Sequence, residues 1–180
     1  GDKAAINKKV YFHSLQDGCE EVTSIPLEGI DPHDYTCVTL SPQGHYLVAS
    51  HGCMTPRPIA IKYLQEANQD TQWQSFVTDV DGIVAGFIRD NNYIAFTDIG
   101  APRGRVVAIP LNSEHPNDTS SWIEVVAESE AVIRSIRPVG EYIYISELVD
   151  CYSHIRIVDY SGGIIDVLPM PDKGSVVLGD

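Results

Sequence analysis

The sequence predicts an all-β chain built from repeated four-stranded antiparallel sheets, and three observations carry that prediction. Three segments, 37–50, 84–97 and 132–146, share one grammar: an apolar run, a short polar reversal and a second apolar run. Two independent markers share one period, since Tyr46, Tyr93 and Tyr142 are separated by 47 and 49 positions, as are Leu64, Leu111 and Tyr160 at the end of the next apolar run. No stretch shows a sustained apolar period of 3.6 residues, and segments 63–68 and 128–131 hold a helical turn at most.

Taken in chain order, a truncated first copy occupies 9–28, with Tyr11 and Leu15 as its visible markers; Leu15 lies 49 positions before Leu64. Three full copies follow at 35–78, 82–128 and 131–170, and 174–180 reads as the opening strand of one more. Within the second full copy, strands are expected near 83–88, 93–97, 105–109 and 123–127, because Val, Ile, Tyr and Phe cluster there in runs of strand length. Asp90, Asn91 and Asn92 supply a hairpin, as Asn and Asp tolerate left-handed backbone angles. Gly44 and Gly140 stand where the other copies must reverse tightly. Trp73 and Trp122, again 49 apart, open the fourth strand of two copies and are expected to fill the same kind of inter-sheet pocket. A four-stranded antiparallel unit recurring at this period is the signature of a β-propeller blade. The chain thus reads as a partial β-propeller of about three and a half blades, too few to close a ring of about four to eight. Its end sheets are therefore expected to present uncovered apolar faces.

Composition narrows the function classes. Hydrophobic residues make up 43% of the chain, enough for a continuous core, but no apolar run approaches a bilayer span and no basic-then-apolar leader opens the sequence. A formal charge of −13 with scattered Lys and Arg argues against nucleic-acid binding. The four cysteines, Cys19, Cys37, Cys53 and Cys151, form no C-x-x-C pair, which fits a reducing, cytoplasmic setting and no zinc site. Asn117, Asp118 and Thr119 spell a glycosylation triplet that matters only in a secreted protein. The chain starts on Gly1, as either a tag remnant or the beginning of an excised segment.

Several tracts, read together, resemble the N-terminal propeller of the prolyl oligopeptidase family, serine peptidases that cut short peptides after proline. Val10-Tyr11-Phe12-His13-Ser14-Leu15 matches a valine-tyrosine-x-histidine-x-leucine tract, and Ser41-Pro42-Gln43-Gly44-His45-Tyr46 matches a turn in which Gln43 and His45 replace the usual Asp and Arg. The stretch from Thr97 through Ala101-Pro102 to Arg105-Val106-Val107 resembles the family's threonine-asparagine-x-x-alanine-proline segment, with Asp98 for Asn. Trp122 through Glu128, the tyrosine-rich hairpin after Tyr142, the Asp159 to Gly162 turn, and Leu168-Pro169 ahead of Gly174-Ser175-Val176 follow in the family's order. The resemblance implies a seven-bladed propeller, of which these are middle blades, covering a C-terminal α/β-hydrolase domain that carries the catalytic triad. No G-x-S-x-G elbow occurs in this sequence, so no catalytic residue is assigned here and the chain alone is expected to be inactive.

The loops joining second and third strands, 50–58, 100–104 and 149–154, are expected on one common face, which in the resembled enzymes looks toward the active site. The family places a glycine-cysteine pair there close to substrate; Gly52-Cys53 matches it, while the arginine three residues earlier has no counterpart near Ser50 or His51. Cys53, Tyr35 and His51 are the candidate lining of a peptide cavity. The alternatives for them are plain ones: a small apolar residue in a loop for Cys53, a packing tyrosine for Tyr35. His45, His51 and Cys53 lack the ligand pairing a metal centre needs, and no cofactor is expected. Arg103 and Arg105 are cations suited to a peptide carboxylate, yet Arg105 opens a strand and is expected to pair with a neighbouring blade.

The expected function is a non-catalytic propeller segment gating the access of short proline-containing peptides to an absent hydrolase domain, with that domain and the remaining blades as partners. An alternative is a binding module that self-associates to complete a ring. A small-molecule-binding β-sandwich is disfavoured by the regular period.

Overall fold

Short apolar runs separated by Gly, Asn and Asp reversals fold into antiparallel meanders, since a strand alternates its faces every residue and a tight turn returns the chain beside itself. The computed structural model describes residues 34–64, 72–170, 172–176 and 178, and two short strands further upstream. It divides into two compact units, Gly1–Thr78 and Asp79–Asp180. Among the described residues no helix is long and apolar enough to cross a membrane. The rest of the first, truncated copy and segment 65–68, where a helical turn is expected, lie outside the described residues, as does Cys19.

In the first unit, β1 (Tyr11–Phe12) pairs antiparallel with β2 (Thr23–Ser24). Strands β3 (Thr36–Leu40), β4 (Tyr46–His51), β5 (Arg57–Tyr63) and β6 (Gln74–Ser75) form one sheet in chain order. The β3–β4 reversal closes with Ser41 N donating to Tyr46 O at 2.8 Å and Gly44 N to Ser41 O at 2.8 Å, and Gly44 takes the positive φ of 77° expected of it. Pairing along β6 runs on past Ser75, because Phe76 N donates to Ile59 O and Val77 N to Pro58 O. Trp73 packs beside Val38 against buried Ala49, Ile59 and Ala60.

The second unit holds two meanders: β7 (Val84–Arg89), β8 (Asn92–Thr97), β9 (Arg105–Pro110) and β10 (Ile123–Val126), then β11 (Val132–Val139), β12 (Tyr142–Val149), β13 (Tyr152–Val158) and β14 (Ile164–Leu168). The 47-residue period has a bond behind it. Leu64 N donates to His45 O and Leu111 N to Asn91 O, so in both repeats the residue after the third strand ties back to the start of the second. Trp122 is buried, and its indole N–H donates to Pro116 O at 3.0 Å.

These two sheets share one apolar cluster: Ile94, Val106, Ala108 and Val126 from the first, and Ile133, Ile136, Ile143, Ile145 and Val158 from the second. Each fully buried Val or Ile contributes about 1.5–3 kcal/mol by transfer alone, so this seam is a major contributor to the unit's stability, beside the buried Val84, Ile88, Tyr93, Val107 and Ile109. Polar fasteners mark its two ends. At one end Arg89 donates to Gly140 O, pairs with Glu141 at 2.7 Å and lies 4.9 Å over the Tyr160 ring. At the other, Ile133 N donates to Arg103 O at 2.8 Å, while Arg103 N donates to Glu128 Oε1. The register Ile145↔Arg156 and Glu147↔His154 puts Glu147 and Arg156 on the sheet face that carries Ile145, where they form a largely buried ion pair at 2.9 Å. Such a pair adds little net stability, but a slip of register would leave its charges unmatched.

Two expectations are corrected here. The third sheet has no long loop at 149–154: its strands turn through Asp150 and Cys151 alone, at φ 50° and 68°. Arg105 faces Glu124 of its own sheet at 3.7 Å, not a neighbouring blade, because β10 runs beside β9. In the last sheet Ile164, Ile165 and Val167 on β14 are exposed, as are Val139 and Tyr142 at the β11–β12 turn, while Ile155 and Ile157 on β13 are buried. Residues 174–176 lie outside any strand and return to β13, with Ser153 N donating to Gly174 O and Val176 N to the Ser153 hydroxyl.

Two glycines of this unit share a positive φ but differ in surroundings, which separates conformational cost from contact. A Cβ at Gly140 (φ 57°) meets nothing within 4 Å, whereas one at Gly162 (φ 88°) would lie 1.9 Å from Val125 O of β10. Denaturant melts should show Gly140→Ala costing about 1 kcal/mol and Gly162→Ala about 3 kcal/mol or more. Asp159 is held below the usual aspartate range first by the Ser161 hydroxyl and then by the Gly163 amide. A depressed carboxyl stabilises the fold above its ordinary pKa of 3.8 and loses that contribution as pH falls through the lower folded value. The melting temperature should therefore fall in that acid window, and less steeply in Asp159→Asn, which keeps an acceptor but does not titrate.

Candidate functional site

The open end of the β3–β4 ladder gathers the three residues singled out in the sequence. Thr36 and His51 are register partners, and the Thr36 hydroxyl and His51 Nδ1 share a hydrogen bond of 2.8 Å. His51 is 4% exposed, so its ring braces the ladder from inside. Tyr35, by contrast, is 54% exposed and Cys53 is exposed. Gly52 N donates to Tyr35 O at 2.9 Å, which carries the ladder one step beyond the strands. That step needs glycine: φ is 104°, and a Cβ would sit 2.5 Å from Thr55 O.

Sequence reasoning missed the residue that joins these groups. Asp34 Oδ1 accepts from Tyr35 N at 2.6 Å and from Cys53 N at 2.9 Å. Its carboxyl is held below the usual aspartate range by the Tyr35 amide first and the Cys53 amide second, with the charges of His51 and Arg57 adding and desolvation opposing. An aspartate just before a strand is a local turn signal, but its second partner is 19 residues away, and no short-range pattern reveals that. Met54, at the tip of the same loop, is 84% exposed and was also not anticipated. Cys37 lies half-buried within β3, where desolvation pushes its thiol up.

His45 precedes β4 and His51 ends it, so the strand separates them by about 3.3 Å per residue. The weak metal pattern in the sequence is thereby split, and among the described residues no group of three or more His, Cys, Asp or Glu is placed to hold a metal ion.

The corresponding loops of the second unit are differently built. Residues 98–104 are folded by Ala101 N donating to Asp98 O and Gly104 N to Ala101 O, and Asp98 Oδ1 accepts from Ile83 N at 2.7 Å. Arg103 lies 3.1 Å from Glu130 in a solvent-exposed ion pair, an interaction of little strength. Cys151 is exposed on its two-residue turn. Asn117 of the glycosylation triplet accepts from Asp79 N through its side-chain oxygen.

Comparison with known proteins bears on this arrangement. Prolyl endopeptidase of Dictyostelium discoideum is 24% identical over 96% of this chain, and that of Elizabethkingia miricola 25% identical over 93%. The chain spans about a quarter of the length of these curated relatives, 25% and 23% respectively. Among solved structures, prolyl oligopeptidase B from Galerina marginata, bound to a 25mer macrocyclization substrate, superposes with a TM-score of 0.80 at 16% identity, over 97% of this chain and 25% of that one. A chain from a structural and mechanistic analysis of two prolyl endopeptidases gives 0.73 at 22% identity, over 93% of this chain and 24% of that one. These structural likenesses establish a common fold, a partial β-propeller of four-stranded blades. The family model for the prolyl oligopeptidase N-terminal beta-propeller domain matches residues 2–179, and the chain belongs to that family.

Proposed function

We propose that this chain is a non-catalytic propeller segment of a prolyl-oligopeptidase-like serine peptidase, gating the access of short proline-containing peptides to a hydrolase domain carried elsewhere in the parent. The observation that carries the reading is the family match across residues 2–179 of a chain about a quarter as long as its relatives. A rigid stack of sheets with loops at its rim is suited to excluding folded proteins while admitting flexible peptides. On this reading Tyr35 and Cys53 line the peptide cavity, while His51, a third lining candidate in the sequence, is buried and hydrogen-bonded to Thr36. Residues 9–28 and 174–180 belong to blades completed by other parts of the parent, and the partners are those blades and the hydrolase domain. The described cysteines, Cys37, Cys53 and Cys151, are unpaired, which supports a reducing, cytoplasmic location.

A second reading, a self-associating module without enzymatic activity, draws support from the exposed apolar residues of β14, Ile164, Ile165 and Val167. Sedimentation discriminates. The segment reading predicts a monomer or polydisperse aggregates, and a stable two-fold species favours the module. Incubated with a chromogenic proline-containing peptide, the purified chain should give no turnover; cleavage blocked by a serine-directed inhibitor would end the first reading.

A further inference from the structure

Tyr35 and Cys53 reach the same edge from opposite directions in the chain, one entering β3 and the other leaving β4. Packing holds neither of them, since both are exposed, and the loop tip beyond them carries a fully presented Met54. What fixes their spacing is polar. One oxygen of Asp34 takes both amide protons, at 2.6 Å and 2.9 Å, and Gly52 N closes the small ring through Tyr35 O at 2.9 Å. Charge-assisted bonds of this kind are shorter and stronger than neutral ones, and a shared acceptor couples the two positions so that neither moves alone.

We propose that Asp34 is a positioning residue: its carboxylate holds Tyr35 and Cys53 together as one edge at the rim of the proposed peptide cavity. Its functional meaning rests on the peptide-cavity reading above, to which it adds a positioning residue. The sheet does not depend on Asp34, because the ladder from Thr36↔His51 to Leu40↔Leu47 is complete without it. Losing Asp34 should therefore disorganise the edge while leaving the blade folded.

The test uses the present chain at neutral pH and two substitutions. Asp34→Asn keeps an oxygen acceptor and removes the charge; Asp34→Ala removes both. Backbone amide shifts of Tyr35 and Cys53 are followed by NMR, and the rate of Cys53 alkylation by iodoacetamide is compared with that of Cys151, the exposed thiol of the other unit. In Asp34→Ala both amides should move upfield together and Cys53 should react several-fold faster relative to Cys151, with the melting transition little changed. Asp34→Asn should restore most of the wild-type behaviour. Unmoved amides in Asp34→Ala, or an equal gain of reactivity in both variants, which marks a simple field effect, would overturn the proposal. No peptide enters the measurement, so failure of the cavity reading leaves this outcome intact and the two are told apart.

Discussion

The apolar seam between the sheets β7–β10 and β11–β14 is the constraint on which the second unit depends. An antiparallel sheet with apolar residues on both faces gains little from its own hydrogen bonds, because water satisfied the same groups before folding. Its stability comes from the neighbour that covers each face. Ile94, Val106 and Ala108 meet Ile143, Ile145 and Val158 in one continuous cluster, and Gly162 lets the β13–β14 turn close directly onto the backbone of Val125. The buried Glu147–Arg156 pair sits on the same face and penalises a one-residue slip.

Rigid sheets leave variation to the rims, and the rims of the described blades differ by construction. One rim is a loop fastened by a carboxylate shared between Tyr35 and Cys53, another is folded on its own carbonyls and clasped by Arg103, and the third is a bare two-residue turn. A chain of identical blade grammar thus presents three unlike surfaces. Recognition built on such loops is adjustable at one position without disturbing the packing that supports it.

Much of the fold was legible because its causes are local or periodic. The shared spacing of Tyr46, Tyr93 and Tyr142 reports the start of a second strand, and the bonds Leu64 N to His45 O and Leu111 N to Asn91 O show why the second marker keeps step. Gly44 and Gly140 take the positive angles their positions announced. What escaped depends on partners brought together only by folding: Asp34 finds Cys53 across a hairpin, Arg105 finds Glu124 in its own sheet, and Arg103 is engaged by Glu130. The burial of His51 was likewise invisible, since a histidine at a strand end reads the same whether it points in or out.

The most direct test of the account is methyl-to-methyl contact across the seam, read by nuclear Overhauser effects in the methyl-labelled chain. Cross-peaks joining Ile94, Val106 and Ala108 to Ile143, Ile145 and Val158 are predicted. A folded chain that lacks them, with those methyl groups meeting some other surface instead, would contradict the stacking of these sheets as neighbouring blades.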